Sequence, residues 1–324
     1  MKNKKFIKSF LLKLFTKKSQ SSFKVTSSKK VLILKYDRIG DMIVTTPILR
    51  ELKKAYPDIS ISVLASNENK DVIKYNPYVE SIYTNYKNNL LMDLSKLLLL
   101  RWKKFDVCIE LDHSVIPHAI FRLKIINPKK IISIHKDGRY GVKGNELQLY
   151  DFLTKKEFGK HFGEIWLSTL SFFDIKNPSN KFDIFLSDTE INRAQAFSKS
   201  IASEIKIGIN LEGSYKEKQI QPADLQKICI SIKENFPDIT IVILSHPNKR
   251  ENTKQLVIKM DLESVIMSYE TKNILELAAL INELDFIISP DTSIVHIASA
   301  FNKPILSIHE NNQLSYSQWK PLSS

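Results

Sequence analysis

The run Val31-Leu32-Ile33-Leu34-Lys35-Tyr36-Asp37-Arg38-Ile39-Gly40-Asp41-Met42-Ile43-Val44-Thr45-Thr46-Pro47 decides the fold. Its first part is apolar and β-branched, as in a buried strand. A short polar turn with one glycine follows, and an amphipathic helix opens over about 42–56. This is the strand–loop–helix unit of an open α/β sheet, where ligands meet the carboxyl ends of the strands. Gly40 is expected to let the backbone turn tightly. Asp41 is expected to stand where the helix begins, its carboxylate held by free amide N–H groups and directed into the crevice. Judged on the local pattern, Asp41 reads either as an ordinary N-cap or as a catalytic acid–base group.

No GxGxxG fingerprint follows the strand and no GxxxxGK[ST] loop occurs anywhere, which argues against a dinucleotide cofactor and a P-loop nucleotidase. The 324 residues suffice for two domains. A chain 43% hydrophobic and 26% charged has the composition of a soluble globular protein. The net charge of +13 is concentrated at one end: residues 1–30 hold ten lysines and no acid, so only +3 belongs to the rest. The body therefore lacks the basic surface of a nucleic-acid binder, and no nucleic-acid partner is expected. In residues 1–29, Phe6, Ile7, Phe10, Leu11, Leu14 and Phe15 would line one face of a helix, with most lysines elsewhere. Such a basic amphipathic arm suits an anionic membrane surface; a solvated lysine tail is the alternative. Lys8 and Lys13 interrupt the apolar run that a signal peptide needs, and no segment reads as a transmembrane helix. Cys108 and Cys229 lie far apart in apolar contexts without metal-ligand spacing, which points to structural thiols in a reducing cytoplasm.

Strands are predicted at about 59–65, 79–83, 106–111 and 130–134, and helices at about 90–104, 115–123 and 160–173. In the leucine-rich helix 90–104, Leu91, Leu94, Leu97 and Leu98 are expected to face the core. Asn177-Pro178-Ser179-Asn180 marks a linker. Beyond it, helices near 188–203, 222–236, 250–260, 273–283 and 292–301 alternate with strands at 206–211, 239–244, 265–267, 286–289 and 304–308. The organisation is thus an arm (1–29), a first Rossmann-like domain (30–176), a linker (177–182) and a second Rossmann-like domain (183–324), an α/β chain with two parallel sheets.

Two further segments carry chemistry. In Ser289-Pro290-Asp291-Thr292-Ser293-Ile294-Val295-His296 a strand ends in an acid and two hydroxyl residues at a helix start, a ready anion site suited to a diphosphate. His296 either reaches that ligand or bonds to backbone. In Gly213-Ser214-Tyr215-Lys216-Glu217-Lys218 a polar loop follows a strand, and either Lys216 or Lys218 could neutralise a leaving phosphate.

Together these segments resemble glycosyltransferase family 9, the bacterial lipopolysaccharide heptosyltransferases. Residues 35–53, with Gly40-Asp41 and Thr46-Pro47, look like that family's opening signature, and residues 285–304 look like its nucleotide-binding signature. The resemblance implies a GT-B fold, two Rossmann-like domains whose sheets face each other across a cleft. It implies an inverting transfer of heptose from an ADP-heptose donor to the lipid-linked inner core of lipopolysaccharide or lipooligosaccharide. By similarity Asp41 is the general base, Lys218 lies near the donor phosphates, and Asp291, Thr292, Ser293 and His296, with Ser214, bind the nucleotide sugar. His161 resembles a histidine on the family's helix before the linker. No metal and no cofactor is expected, and the enzyme would work in the cytoplasm, peripheral at the inner face of the inner membrane. The match departs at Ser293-Ile294, Ser245-His246-Pro247-Asn248 and His309-Glu310-Asn311-Asn312, and the closing C-terminal helices are expected to be missing or supplied elsewhere. The alternatives are a relative using another nucleotide sugar and a non-catalytic, membrane-associated GT-B protein.

Overall fold

The structure, a computed structural model, describes residues 12–13, 16, 21–84, 90–139, 142–213 and 215–323. Most of the expected basic arm lies outside the described residues, as does Ser214. The chain divides into two compact units. One holds the residues up to Lys70 and Asn76–Asn180, the other Asp71–Tyr75 and Lys181–Ser324.

The first unit is built on a parallel sheet in the order β3-β2-β1-β4-β5-β6, from β1 (Lys30–Leu34), β2 (Ser60–Ala65), β3 (Ser81–Thr84), β4 (Val107–Glu110), β5 (Lys130–Ser133) and β6 (Phe152–Leu153). Helices Ile39–Ala55, Leu90–Trp102 and Pro117–Ile126 lie between its strands. Because β1 is covered on both faces, it reads as a continuous apolar run: Val31 to Leu34 are all buried. β6 was not foreseen, since two residues carry no periodicity.

The second unit is a parallel sheet in the order β11-β10-β7-β8-β9, from β7 (Lys206–Asn210), β8 (Thr240–Leu244), β9 (Val265–Met267), β10 (Phe286–Pro290) and β11 (Ile305–Ile308). In both sheets the first strand of the unit lies between the second and the fourth. The strand order reverses there, the point at which open α/β sheets place their ligand crevice, at the carboxyl ends of β1 and β4, and of β7 and β10. That relation positions everything that follows.

Four sequence expectations need correction. Helix Ile39–Ala55 begins three residues early, with Arg38 at its N-cap, so Gly40 and Asp41 lie inside its first turn. Gly40 is buried there and does not have positive φ, so it makes no tight turn. The loop is held instead by Asn69, whose buried amide donates to the carbonyls of Lys35 (3.2 Å) and Asp37 (3.4 Å). The helix also runs through Pro47. Proline has no N–H for the Ile43 carbonyl four residues back, and the Thr46 hydroxyl donates to that oxygen at 2.7 Å in its stead.

The third correction concerns helix Leu90–Trp102. Leu97 is buried and Leu94 half-buried as expected, but Leu91 and Leu98 are exposed. The face that meets the core carries Asp93, Leu97 and Leu100, because Asp93 is drawn in by Arg122 on the neighbouring helix (Nη2 to Oδ2, 3.1 Å). Last, a helix does follow β11, at Gln313–Trp319. The Leu322 N–H beyond it donates to the Ser299 hydroxyl at 3.0 Å. Cys108 and Cys229 are both buried free thiols, and burial pushes Cys229 up to about 11.

Candidate functional site

In the first unit the site forms where β1 and β4 end side by side. Lys35, the residue after β1, has a side chain only 3% exposed. Its ammonium lies 2.9 Å from Oδ2 of Asp37, 3.3 Å from Oδ1 of Asp41 and 4.0 Å from the ring centroid of Trp166. Burial alone would lower this lysine, but the charges of Asp41 and Asp37 outweigh it and hold the group above its usual range. Asp41 is 16% exposed, and its second carboxylate oxygen accepts no hydrogen bond among the described residues. It is a fixed acceptor with one side open.

At the end of β4, Glu110 is buried. Lys136, fully buried itself, donates to its Oε2 and to the Asp112 carbonyl, Ser133 donates to Oε2 at 3.0 Å, and the Asp112 N–H donates to Oε1 at 2.8 Å. Burial would raise Glu110, but the Lys136 charge and these hydrogen bonds hold it below the usual carboxylate range. Asp112 goes the other way: burial and the adjacent Glu110 carboxylate push it up to about 9. His113 accepts a hydrogen bond from the Trp166 indole at Nε2 (3.0 Å), so its neutral ring carries the proton on Nδ1. Burial, then the charges of Lys35 and Lys136, lower it to about 4. Trp166 thus touches both Lys35 and His113, and so joins the two strand ends.

Trp166 is placed by helix Phe162–Leu167, whose N-cap is His161. The His161 Nδ1 accepts the Gly163 N–H at 3.0 Å, which gives this histidine a structural part in the site.

In the second unit the corresponding place lies between β7 and β10. The Asn210 amide, at the end of β7, donates to Ser289 Oγ (3.0 Å), Thr292 Oγ1 (3.5 Å) and the Glu212 carbonyl (2.9 Å), and so ties the two strand ends together. Thr292 is the N-cap of helix Ser293–Ala300 and accepts the Ile294 N–H at 3.4 Å. Ser293 is the first helical residue, half-buried at that N-terminus. The loop after β7 folds back, with the Ile220 N–H donating to the Leu211 carbonyl at 2.9 Å. A β-carbon at Gly213 would stand 2.5 Å from the Lys218 carbonyl oxygen, so only glycine admits this closure. Lys218 is thereby carried to 3.3 Å from Asp291 Oδ2 and 3.7 Å from Glu310 Oε1.

The structure thus brings Lys218, Asp291, Thr292 and Ser293 to one strand-end crevice. His296 lies further along the same helix, buried, with the rings of Phe182 (6.0 Å) and Trp319 (5.7 Å) against it. Asp41 belongs to the first unit's crevice. Sequence reasoning missed Lys35, Asp37, Asp112, His113 and Trp166 as members of the site. The signal for Lys35 is a lysine directly after an apolar strand with aspartates two and six residues on. Trp166 carries no such local signal. Among the described residues no three His, Cys, Asp or Glu side chains are grouped to hold a metal ion.

A sequence profile described as glycosyltransferase family 9 (heptosyltransferase) matches residues 97–324. The chain belongs to glycosyltransferase family 9. The profile match takes in the Lys218–Asp291 crevice and the β4 end but begins beyond Asp41. A longer similarity reaches lipopolysaccharide heptosyltransferase 1 of Campylobacter coli, 22% identical over 298 residues, covering 86% of this chain and 83% of that protein. Among solved structures, a family 9 glycosyltransferase from Veillonella parvula superposes with a TM-score of 0.76 at 18% identity, covering 94% of this chain and 86% of that one. The E. coli ADP-heptose lipopolysaccharide heptosyltransferase II superposes with a TM-score of 0.71 at 15% identity, covering 91% and 88%. The fold is GT-B, and this family member is a glycosyltransferase. No helix among the described residues is long and apolar enough to cross a membrane.

Proposed function

We propose that this glycosyltransferase moves a heptose from ADP-heptose to the lipid-linked inner core of lipopolysaccharide or lipooligosaccharide, with inversion and with Asp41 as general base. The observation that carries the reading is the Asp41 carboxylate, pinned by Lys35 on one oxygen and open on the other, at the strand-order reversal of the first sheet. In a single displacement, an acceptor hydroxyl oxygen forms its bond to the anomeric carbon as the bond from that carbon to the diphosphate oxygen breaks. The diphosphate leaves with the electron pair, and the hydroxyl proton passes to Asp41. Lys218 and the N-terminus of helix Ser293–Ala300 supply positive charge for the departing diphosphate. Asp291 keeps Lys218 in place for that work. The acceptor being lipid-linked, the enzyme would act at the cytoplasmic face of the inner membrane, with the lysine-rich segment 1–30 near anionic lipid.

The test has two parts: calorimetric titration with ADP, UDP and GDP, and transfer assays with ADP-heptose on the wild type and Asp41→Asn. The reading expects preference for ADP, and an Asp41→Asn protein that still binds ADP but transfers ~10²–10⁴-fold more slowly. Preference for UDP or GDP reassigns the donor, and normal turnover by Asp41→Asn removes the base. Failure to bind any of the three favours the non-catalytic alternative.

A further inference from the structure

Helix Leu90–Trp102 has two apolar faces, and the core covers only one. Asp93, Leu97 and Leu100 are buried, while Leu91, Met92, Leu98, Leu99 and Trp102 are exposed, Leu91 to 79% and Trp102 to 81%. Leu91, Leu98 and Trp102 follow at intervals of seven and four residues, which places them along one stripe. Scattered exposed leucines are ordinary on a soluble protein, but a contiguous row ending in an exposed tryptophan marks an interaction surface. Phe121, on the adjacent helix Pro117–Ile126, is also exposed.

The charges around this stripe are of one sign. The helix has a single carboxylate, Asp93, and it is buried against Arg122. The charges left at the surface of residues 90–104 are Lys96, Arg101, Lys103 and Lys104. A second copy docking here would set these cations against themselves. An apolar stripe ending in a tryptophan and edged by cations fits the headgroup and acyl boundary of an anionic bilayer.

We propose that the Leu91–Leu98–Trp102 face of this helix, with Arg101, Lys103 and Lys104, is the surface by which the protein docks on an anionic lipid bilayer. The placement suits a lipid-linked acceptor. The helix begins at the carboxyl-end side of the sheet, and Asp93 near its start holds Arg122, whose guanidinium lies 4.5 Å from the Tyr36 ring centroid. Tyr36 is the residue between Lys35 and Asp37. The bilayer-facing helix is therefore tied to the loop that positions Asp41. The surface rests on the functional reading only in taking the acceptor to be lipid-linked, and its test reads vesicle binding, which is independent of transfer.

The experiment is co-sedimentation of the full-length protein with vesicles of phosphatidylethanolamine and phosphatidylglycerol, against vesicles of phosphatidylcholine alone. The wild type is expected to bind the anionic vesicles. The triple variant Leu91→Ser, Leu98→Ser, Trp102→Ser, which keeps every lysine, is expected to bind at least about tenfold more weakly. Equal binding by the triple variant would overturn the proposal and assign binding to the lysine-rich segment. No binding by the wild type would overturn it as well, as would a wild-type dimer that the triple variant dissociates. A second measurement does not depend on the triple variant folding. Brominated phosphatidylglycerol should quench the tryptophan emission of the wild type, and Trp102→Phe should remove that quenching; quenching that persists in Trp102→Phe would also overturn the assignment.

Discussion

The Lys35 ammonium lies 3.3 Å from the Asp41 carboxylate, inside a side-chain environment only 3% exposed. One residue directly follows the first strand and the other sits in the first turn of the next helix, so the strand–loop–helix unit is itself the device that aims the candidate base.

Replacing Lys35 with methionine keeps the length of the side chain and removes the charge. Asp37 and Asp41 then face each other without the cation between them, and Asp41 loses the contact that fixes its position. Transfer is expected to fall by ~10²-fold, the scale of a displacement of about 1 Å at a reacting group. ADP affinity, measured by calorimetry, should not change. Unchanged transfer by Lys35→Met would leave Lys35 with a purely structural part.

Lys136 and Glu110 form a buried pair beneath the site, both side chains at or below 1% exposed. Lys136→Met should destabilise the protein by ~3–5 kcal/mol, since it leaves an uncompensated buried carboxylate. Adding Glu110→Gln should recover much of that loss. Urea unfolding of the wild type, the single variant and the double variant measures both steps.

His113 is lowered to about 4 in the folded protein from an ordinary 6.5, by burial and the nearby lysine charges. Below pH 6.5 the unfolded chain takes up a proton at this residue that the folded chain refuses. The unfolded state therefore binds more protons, and stability declines as pH falls from about 6.5 towards 4. The slope from this group approaches ~1.4 kcal/mol per pH unit at most. His113→Gln keeps an acceptor for the Trp166 indole, and unfolding free energies across that window should show a shallower decline than the wild type.

Gly213→Ala probes the loop that delivers Lys218. The added β-carbon would stand 2.5 Å from the Lys218 carbonyl oxygen and 2.6 Å from its β-carbon, so the loop must open. ADP affinity should fall about as far as in Lys218→Ala, roughly tenfold, a change of ~1.4 kcal/mol. The loss of global stability should stay below the ~1–3 kcal/mol of core overpacking, because a loop can move aside. Unchanged ADP binding would separate Lys218 from the donor.

The alternation of strands and helices was legible along almost the whole chain, because strands buried on both faces announce themselves as β-branched runs such as Ile241-Val242-Ile243 and Ile287-Ile288. Helix starts were less legible. Arg38 offers no capping side chain, so the start of the first helix could be placed only to within three residues. Helix Gln313–Trp319 and the two-residue β6 are too short to show a period.

By itself the sequence determined the two α/β units and three of the strand ends where chemistry could gather, those of β1, β7 and β10, since apolar runs, Gly and Pro punctuation and charge placement are local properties. The tertiary structure alone decided which strand ends meet. Setting β4 beside β1 brings His113 and Trp166 to Lys35, and setting β10 beside β7 brings Asp291 to Lys218, pairings that span 53 to 131 residues of chain. It also decided which apolar face of helix Leu90–Trp102 is covered: the Asp93–Arg122 pair turned one leucine row inward and left Leu91, Leu98 and Trp102 to solvent.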